Sequence, residues 1–203
     1  MSGLDFFKLL EVKPLPILDE QVLKSNYLRL SSTAHPDRAA SLASGASVVP
    51  GDPVLLNQAY SALSRIPGRL RHLLTLHGGK DPGSPKQIPQ NIGERFMEVG
   101  ELIHSLDSMR QGKPEEGSGE IARVIFIKQS LGLKKRTEAM QTLLRSDLGG
   151  LHERLERVHH EWEHGSVPLS TSVVEALTDV YHEWTFLDRW LDQLNTRLLE
   201  LLV

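Results

Sequence analysis

The sequence contains no cysteine in its 203 residues. That absence excludes a disulfide framework, a thiol nucleophile and any thiolate metal site. Long apolar runs are missing too, so no stretch reads as crossing a bilayer. The opening MSGLDFFKLLEV sets acids among its apolar positions and has no basic leader, so it is expected to be folded chain, not a signal or transit peptide. No extended basic tract occurs and the formal net charge is −3, too near neutral for nucleic acid as the main partner. Without a glycine-rich phosphate loop, the chain is not expected to bind ATP itself. Convincing period-two alternation is absent as well, so strands are not expected. What remains is a chain with 39% hydrophobic content, enough for one or two small globular domains. The expected address is the cytoplasm, and no resident cofactor is expected.

Helical spacing fills nearly every informative segment. A short helix is expected over Leu4–Val12, broken by KPLP. Asp19 then caps a helix whose apolar stripe runs Leu23, Tyr27, Leu30, Ala34 and whose stop is Pro36, because the residue before a proline is pushed out of the α region. After the small-residue loop SLASGASVVPG, Asp52–Pro53 reads as an N-cap with proline in the first turn. The next stripe is Leu56, Ala59, Tyr60, Leu63, expected to end at Pro67–Gly68, with RLRHLLTLHGG continuing as a short helix. GKDPGSPKQIPQ is the best linker, which divides the chain into residues 1–78, a linker at 79–90, and 91–203.

The second part changes texture. Three longer helices are expected, with seams at Ile92, Phe96, Val99, Ile103, Leu106, then at Met140, Leu144, Leu148, Leu151, Leu155, Val158, Trp162, and finally at Leu177, Val180, Trp184, Leu187, Leu191, Leu194, Leu198, Leu201. Steps of three and four predict a coiled-coil-like antiparallel three-helix bundle. The expected fold class is therefore all-α.

Between the second and third helices stands TAHPDRAA, residues 33–40. Taken blandly, Pro36 stops a helix and Asp37 starts a polar loop. Alternatively, a proline-stiffened imidazole and carboxylate at an exposed turn suit a grip on a partner's arginine. No nucleophile or second carboxylate accompanies them, so catalysis by this loop is not expected.

LDFFKLLEV, YLRLSSTAHPDR and LNQAYSALSRIPGRLRHLLTLHG, in that order, resemble a J-domain. Asn57, Ala59, Tyr60, Leu63, Pro67, Arg69 and the LLTLHG ending resemble more closely the HscB-type J-protein, the co-chaperone of iron–sulfur cluster assembly. FLDRWLDQL, residues 186–194, resembles that family's C-terminal helix. The resemblance implies an N-terminal J-domain, a helical hairpin with an HPD loop, joined to the bundle. It implies that His35, Pro36 and Asp37 dock on a DnaK-type ATPase chaperone and stimulate its ATP hydrolysis. Lys24 and Arg29 match the family's basic helix-two positions, whereas Leu28 stands where a second basic residue is frequent. A solvated helix face would carry the same two cations.

Periodicity asks separately whether the bundle carries a site. At about 100° per residue, Met97 and Phe186 each fall roughly 140° from their own seams, and Glu101 is nearly opposite. Apolar residues on presumed solvent faces beside an acid suit a partner patch, or else a wide core arc or packing on the first domain. The resemblance implies that this face holds the iron–sulfur scaffold protein, with Phe96, Met97 and Glu101 of RFMEVGEL and Phe186 of TFLDRW at contact positions. Gly100 replaces an expected leucine there, and His104 an expected acid. A J-protein for a different client is the alternative within this class.

HEWEH, residues 160–164, matches the HExxH zinc-peptidase pattern, with Glu183 a third candidate ligand and Glu161 the candidate base. His160 and His164 are expected to face water, opposite the helix's own seam, at a terminus marked by Gly165 and Pro168. No strand pattern offers a substrate edge. A zinc enzyme is therefore the disfavoured rival, and neither metal nor catalysis is expected.

Overall fold

Asp5 opens the first helix by accepting hydrogen bonds from the Phe7 and Lys8 amides at 3.0 and 3.1 Å. The computed structural model describes residues 4–33, 52–78, 81–83, 89, 92–115, 117, 119–165 and 170–202. Helix α1 (Phe6–Leu9) is shorter than its sequence stretch, because Glu11 turns into the left-handed region at φ 53°. Asn26 holds that turn, its Nδ2 donating to the carbonyls of Leu10 and Glu11 at 3.0 and 3.1 Å.

Helix α2 (Glu20–Thr33) starts as expected, with the Asp19 carboxylate accepting from Gln21 and Val22 amides at 2.8 and 3.1 Å. Its Leu23 is buried, while Tyr27 and Leu30 are half-buried. Asp52 caps α3 (Pro53–Ser64), accepting from the Val54 amide at 2.9 Å, with proline at the first position. Helix α3 packs against α1, α2 and α4 (Ile66–Gly78).

The expected stop at Pro67–Gly68 is corrected. The break comes earlier, at an extended Arg65, and Pro67–Gly68 lies in the first turn of α4. A proline there removes only an amide that has no intrahelical partner. Gly68 has its own reason: a Cβ on it would sit 2.5 Å from the Ala62 carbonyl oxygen. Only glycine permits so close a joint.

The chain packs as two compact units, Met1–Ser84 with Arg154–Tyr181, and Pro85–Glu153 with His182–Val203. Phe7, Leu10, Leu23, Leu56, Leu63 and Leu70 are fully buried in the first, as are Leu155 and Leu177. Within it, Trp162 Nε1 donates to the Pro14 carbonyl at 3.2 Å, and Tyr181 donates its hydroxyl to the Gly83 carbonyl at 3.1 Å.

The second unit holds α5 (Gly93–Gln111) and much of α6 (Glu120–His164) and α7 (Thr171–Leu202). Arg95 bonds Asp147 at 3.2 Å, Arg197 bonds Asp107 at 3.1 Å and Gln141 bonds Asn195 at 2.8 Å. Numbers rise together on α5 and α7 and fall on α6, which is the up-down-up order of an antiparallel bundle. The α7 seam is as expected, except that Leu198 is half-buried; on α6, Leu148 and Trp162 are half-buried too. On α5 the seam is rotated. Ile92, Val99, Leu102 and Leu106 are buried, Ile103 is half-buried and Phe96 is 42% exposed. Helix α5 faces two neighbours at once, and Leu102 turns toward them, which leaves Phe96 about 90° from the centre of the buried arc. The fold is all-α: no strand occurs among the described residues, and none of their helices is long and apolar enough to cross a membrane.

Candidate functional site

Helix α2 presents Lys24 and Arg29 outward, off its buried stripe, as periodicity requires. Leu28 is also outward, 54% exposed and one turn from Lys24. Arg29 is not a bare cation, because it pairs with the Glu11 carboxylate. The positive φ at Glu11 and the pairing with Arg29 therefore belong to one small structure against the C-terminal half of α2. Sequence reasoning missed this pair, which depends on a turn that periodicity does not describe. His35, Pro36 and Asp37 lie outside the described residues.

The scaffold of α2 against α3 is aromatic and polar. Tyr27 and Tyr60 stack at 4.3 Å with 18° between their planes, and the Tyr27 hydroxyl donates to Asn57 Oδ1 at 2.6 Å. Arg69 is buried at the joint of α3 and α4, where Nε donates to the Leu63 carbonyl at 2.8 Å and Nη1 to Pro16 at 3.4 Å. Burial lowers its pKa, and the nearby Glu20 works against that shift. His72 locks α1 to α4: its Nε2 accepts from the Phe6 amide at 2.9 Å, and its ring stacks on Phe6 at 4.3 Å. Burial pushes the imidazole below its ordinary value, Asp5 opposing; because Nε2 accepts from the Phe6 amide, the neutral ring carries its proton on Nδ1.

In the second unit, Phe96 and Phe186 meet over one residue. Their ring centroids lie 6.3 and 5.7 Å from that of Trp190, which is 5% exposed. Trp190 thus forms the floor on which the Phe96 of α5 and the half-buried Phe186 of α7 rest. Met97, Gly100, Glu101 and His104 follow as an exposed stripe along α5, with Met97 at 64%. A large apolar pair over an aromatic floor, bordered by a carboxylate, has the composition of an interface hot spot. Trp190 was missed, although its i, i+4 spacing from Phe186 puts the two on one helical face.

His160 and His164 are exposed at the end of α6, their Nδ1 atoms 3.0 Å apart. Glu183 is buried in the second unit. Among the described residues, no three histidines or carboxylates are grouped so as to hold a metal.

No family model and no curated protein matches the sequence. Solved structures do match. The human co-chaperone HscB superposes with a TM-score of 0.58 at 16% identity, over 97% of this chain and 83% of that one. The chaperone HscB from Vibrio cholerae gives 0.50 at 19% identity, over 95% and 96%. Both likenesses span the N-terminal helices and the bundle together, so the chain has the HscB-type fold, a J-domain followed by a C-terminal helical bundle.

Proposed function

We propose that this chain is a co-chaperone with no catalytic chemistry of its own. Its residues 1–78 act as the J-domain, and His35, Pro36 and Asp37, with Lys24 and Arg29, dock on a DnaK-type chaperone in the cytoplasm and stimulate its ATPase. Residues 91–203 bind an iron–sulfur cluster scaffold protein through Phe96, Met97, Glu101 and Phe186. What carries the reading is the likeness to the human co-chaperone HscB over 97% of the chain, joined to an HPD tripeptide between α2 and α3.

The chemistry follows from the residues. Asp37 supplies a carboxylate for charge-assisted hydrogen bonds to a chaperone cation. With Arg29 already engaged by Glu11, Lys24 carries more of the electrostatic steering. On the bundle, Met97 gives an adaptable apolar contact and Phe186 an anchored one. Two modest sites on one chain raise the effective concentration of client at the chaperone.

The test is steady-state ATP hydrolysis by a DnaK-type chaperone of iron–sulfur assembly, with and without scaffold protein. Wild-type chain stimulates; Asp37→Asn does not; Met97→Ala/Phe186→Ala loses only the additional stimulation that scaffold provides. Stimulation unchanged by Asp37→Asn refutes the docking role.

A further inference from the structure

The first turns of α6 carry a surface that the co-chaperone reading leaves unused. Of the thirteen large hydrophobic residues exposed among the described residues, five fall between positions 121 and 131. Ile121 is 78% exposed, Val124 61%, Ile127 56% and Leu131 53%, while Leu133, Thr137 and Met140 face the bundle core. Val124, Ile127, Lys128, Leu131, Gly132 and Lys135 line one shallow groove. We propose that this face is a docking surface for an acidic amphipathic helix of a partner protein. The proposal is independent of the scaffold and chaperone roles above.

Spacing argues for a helix as occupant. Val124, Ile127 and Leu131 step by three and four, the seam a second helix packs into, and Lys128 and Lys135 run along one side of it at the same seven-residue spacing as Val124 and Leu131. Charge argues for an acidic one. Residues 121–136 hold five cations (Arg123, Lys128, Lys134, Lys135, Arg136) between the bordering Glu120 and Glu138, in a chain whose net charge is −3; Lys134 pairs with Glu138 at 3.8 Å, and Lys128 and Lys135 are the cations that line the groove. Self-pairing through this seam sets Lys128 and Lys135 against each other or against Arg123. A lipid surface fits no better, because Lys128 projects about 40° from Val124 and 20° from Ile121, inside the apolar arc and not at its border. A facing helix with glutamates beside its apolar seam meets both demands.

Two further observations agree. VIFI, residues 124–127, is rich in β-branched residues, which disfavour an uncovered helix and favour strand-like aggregation. Gly132 lies in the groove with nothing within 4 Å of where its Cβ would be, which leaves room for a partner backbone.

The full chain is titrated against labelled synthetic helices of about 20 residues with leucine at the seam and either glutamate or lysine at the flanks, followed by fluorescence anisotropy. The glutamate helix binds at least about tenfold tighter, the difference shrinks at high salt, and Lys128→Glu/Lys135→Glu inverts the preference. Gly132→Leu, whose Cβ meets no described atom within 4 Å, abolishes binding while the circular dichroism melt is retained. Equal binding of both helices, or binding of neither, overturns the proposal. So does flotation with phosphatidylcholine vesicles containing phosphatidylserine, or a dimer in sedimentation velocity that Leu131→Ser dissolves.

Discussion

Tyr27 of α2 lies flat against Tyr60 of α3 and donates a hydrogen bond from its hydroxyl to Asn57 Oδ1, one turn before Tyr60 on that helix. The pair therefore fixes both the distance and the register of the two helices that flank the HPD segment. Removing only the hydroxyl by Tyr27→Phe should cost about 1 kcal/mol in urea unfolding. Tyr60→Ala, which also loses the stack, should cost clearly more. A double-mutant cycle of Tyr27→Phe with Asn57→Ala checks that the hydroxyl acts through Asn57; additive losses would deny it.

Arg69 fastens the first unit from inside it. Its guanidinium is buried and spans two backbone carbonyls, from Leu63 and Pro16. Arg69→Met leaves both acceptors without this donor and should lower stability by about 3 kcal/mol. Arg69→Lys should recover little, because an ammonium lacks the planar fork that reaches both oxygens. Chemical denaturation of the two variants decides this.

His72 makes stability depend on pH in a defined direction. Its folded-state pKa lies below the ordinary value, first through burial, so the folded chain favours the neutral ring. Above about pH 6.5 both states are neutral and the contribution is complete. As pH falls below that value, the unfolded chain takes up a proton that the folded chain resists, and stability declines. Urea midpoints between neutral and mildly acidic pH should fall more steeply for wild type than for His72→Gln, which keeps an acceptor for the Phe6 amide but cannot titrate.

Gly100 stands in the middle of an exposed helical face, and a Cβ there meets nothing within 4 Å. Gly100→Ala should raise stability by about 1 kcal/mol. Gly100→Leu adds apolar surface next to Met97 and should tighten the proposed complex with a scaffold protein in calorimetry. A weaker complex would show that the bare backbone itself is part of the contact.

The parts of this architecture written in local chemistry were readable in advance. Asp19 and Asp52–Pro53 cap their helices because a side-chain oxygen two residues from an amide needs no tertiary help. The α7 seam was readable because one period persists from Leu177 to Leu201. Elsewhere several chain segments decide the outcome together. A one-helix wheel puts Phe96 in the core because it cannot say that α5 faces two neighbours. Pro67 reads as a stop in sequence because proline suits the end of one helix and the first turn of the next equally well. Trp190 as the floor under Phe96, and Glu11 as the partner of Arg29, arise only when separate elements meet. Of the candidate site, the outward cations and Met97 could be found from periodicity; His35, Pro36 and Asp37 remain a reading of the sequence.

The first compact unit is discontinuous in sequence, since Arg154–Tyr181 packs with the N-terminal helices. Helix α6 is one unbroken hydrogen-bonded ladder, yet its residues up to 153 pack in one unit and those from 154 onward in the other. Amides of α6 beyond residue 153 should exchange with deuterium at the pace of α1–α4, and those before it at the pace of α5, though no residue between them breaks the helix. A fragment ending at residue 78 would accordingly be missing Leu155, Leu177 and Trp162, and should melt below the same segment within the whole chain.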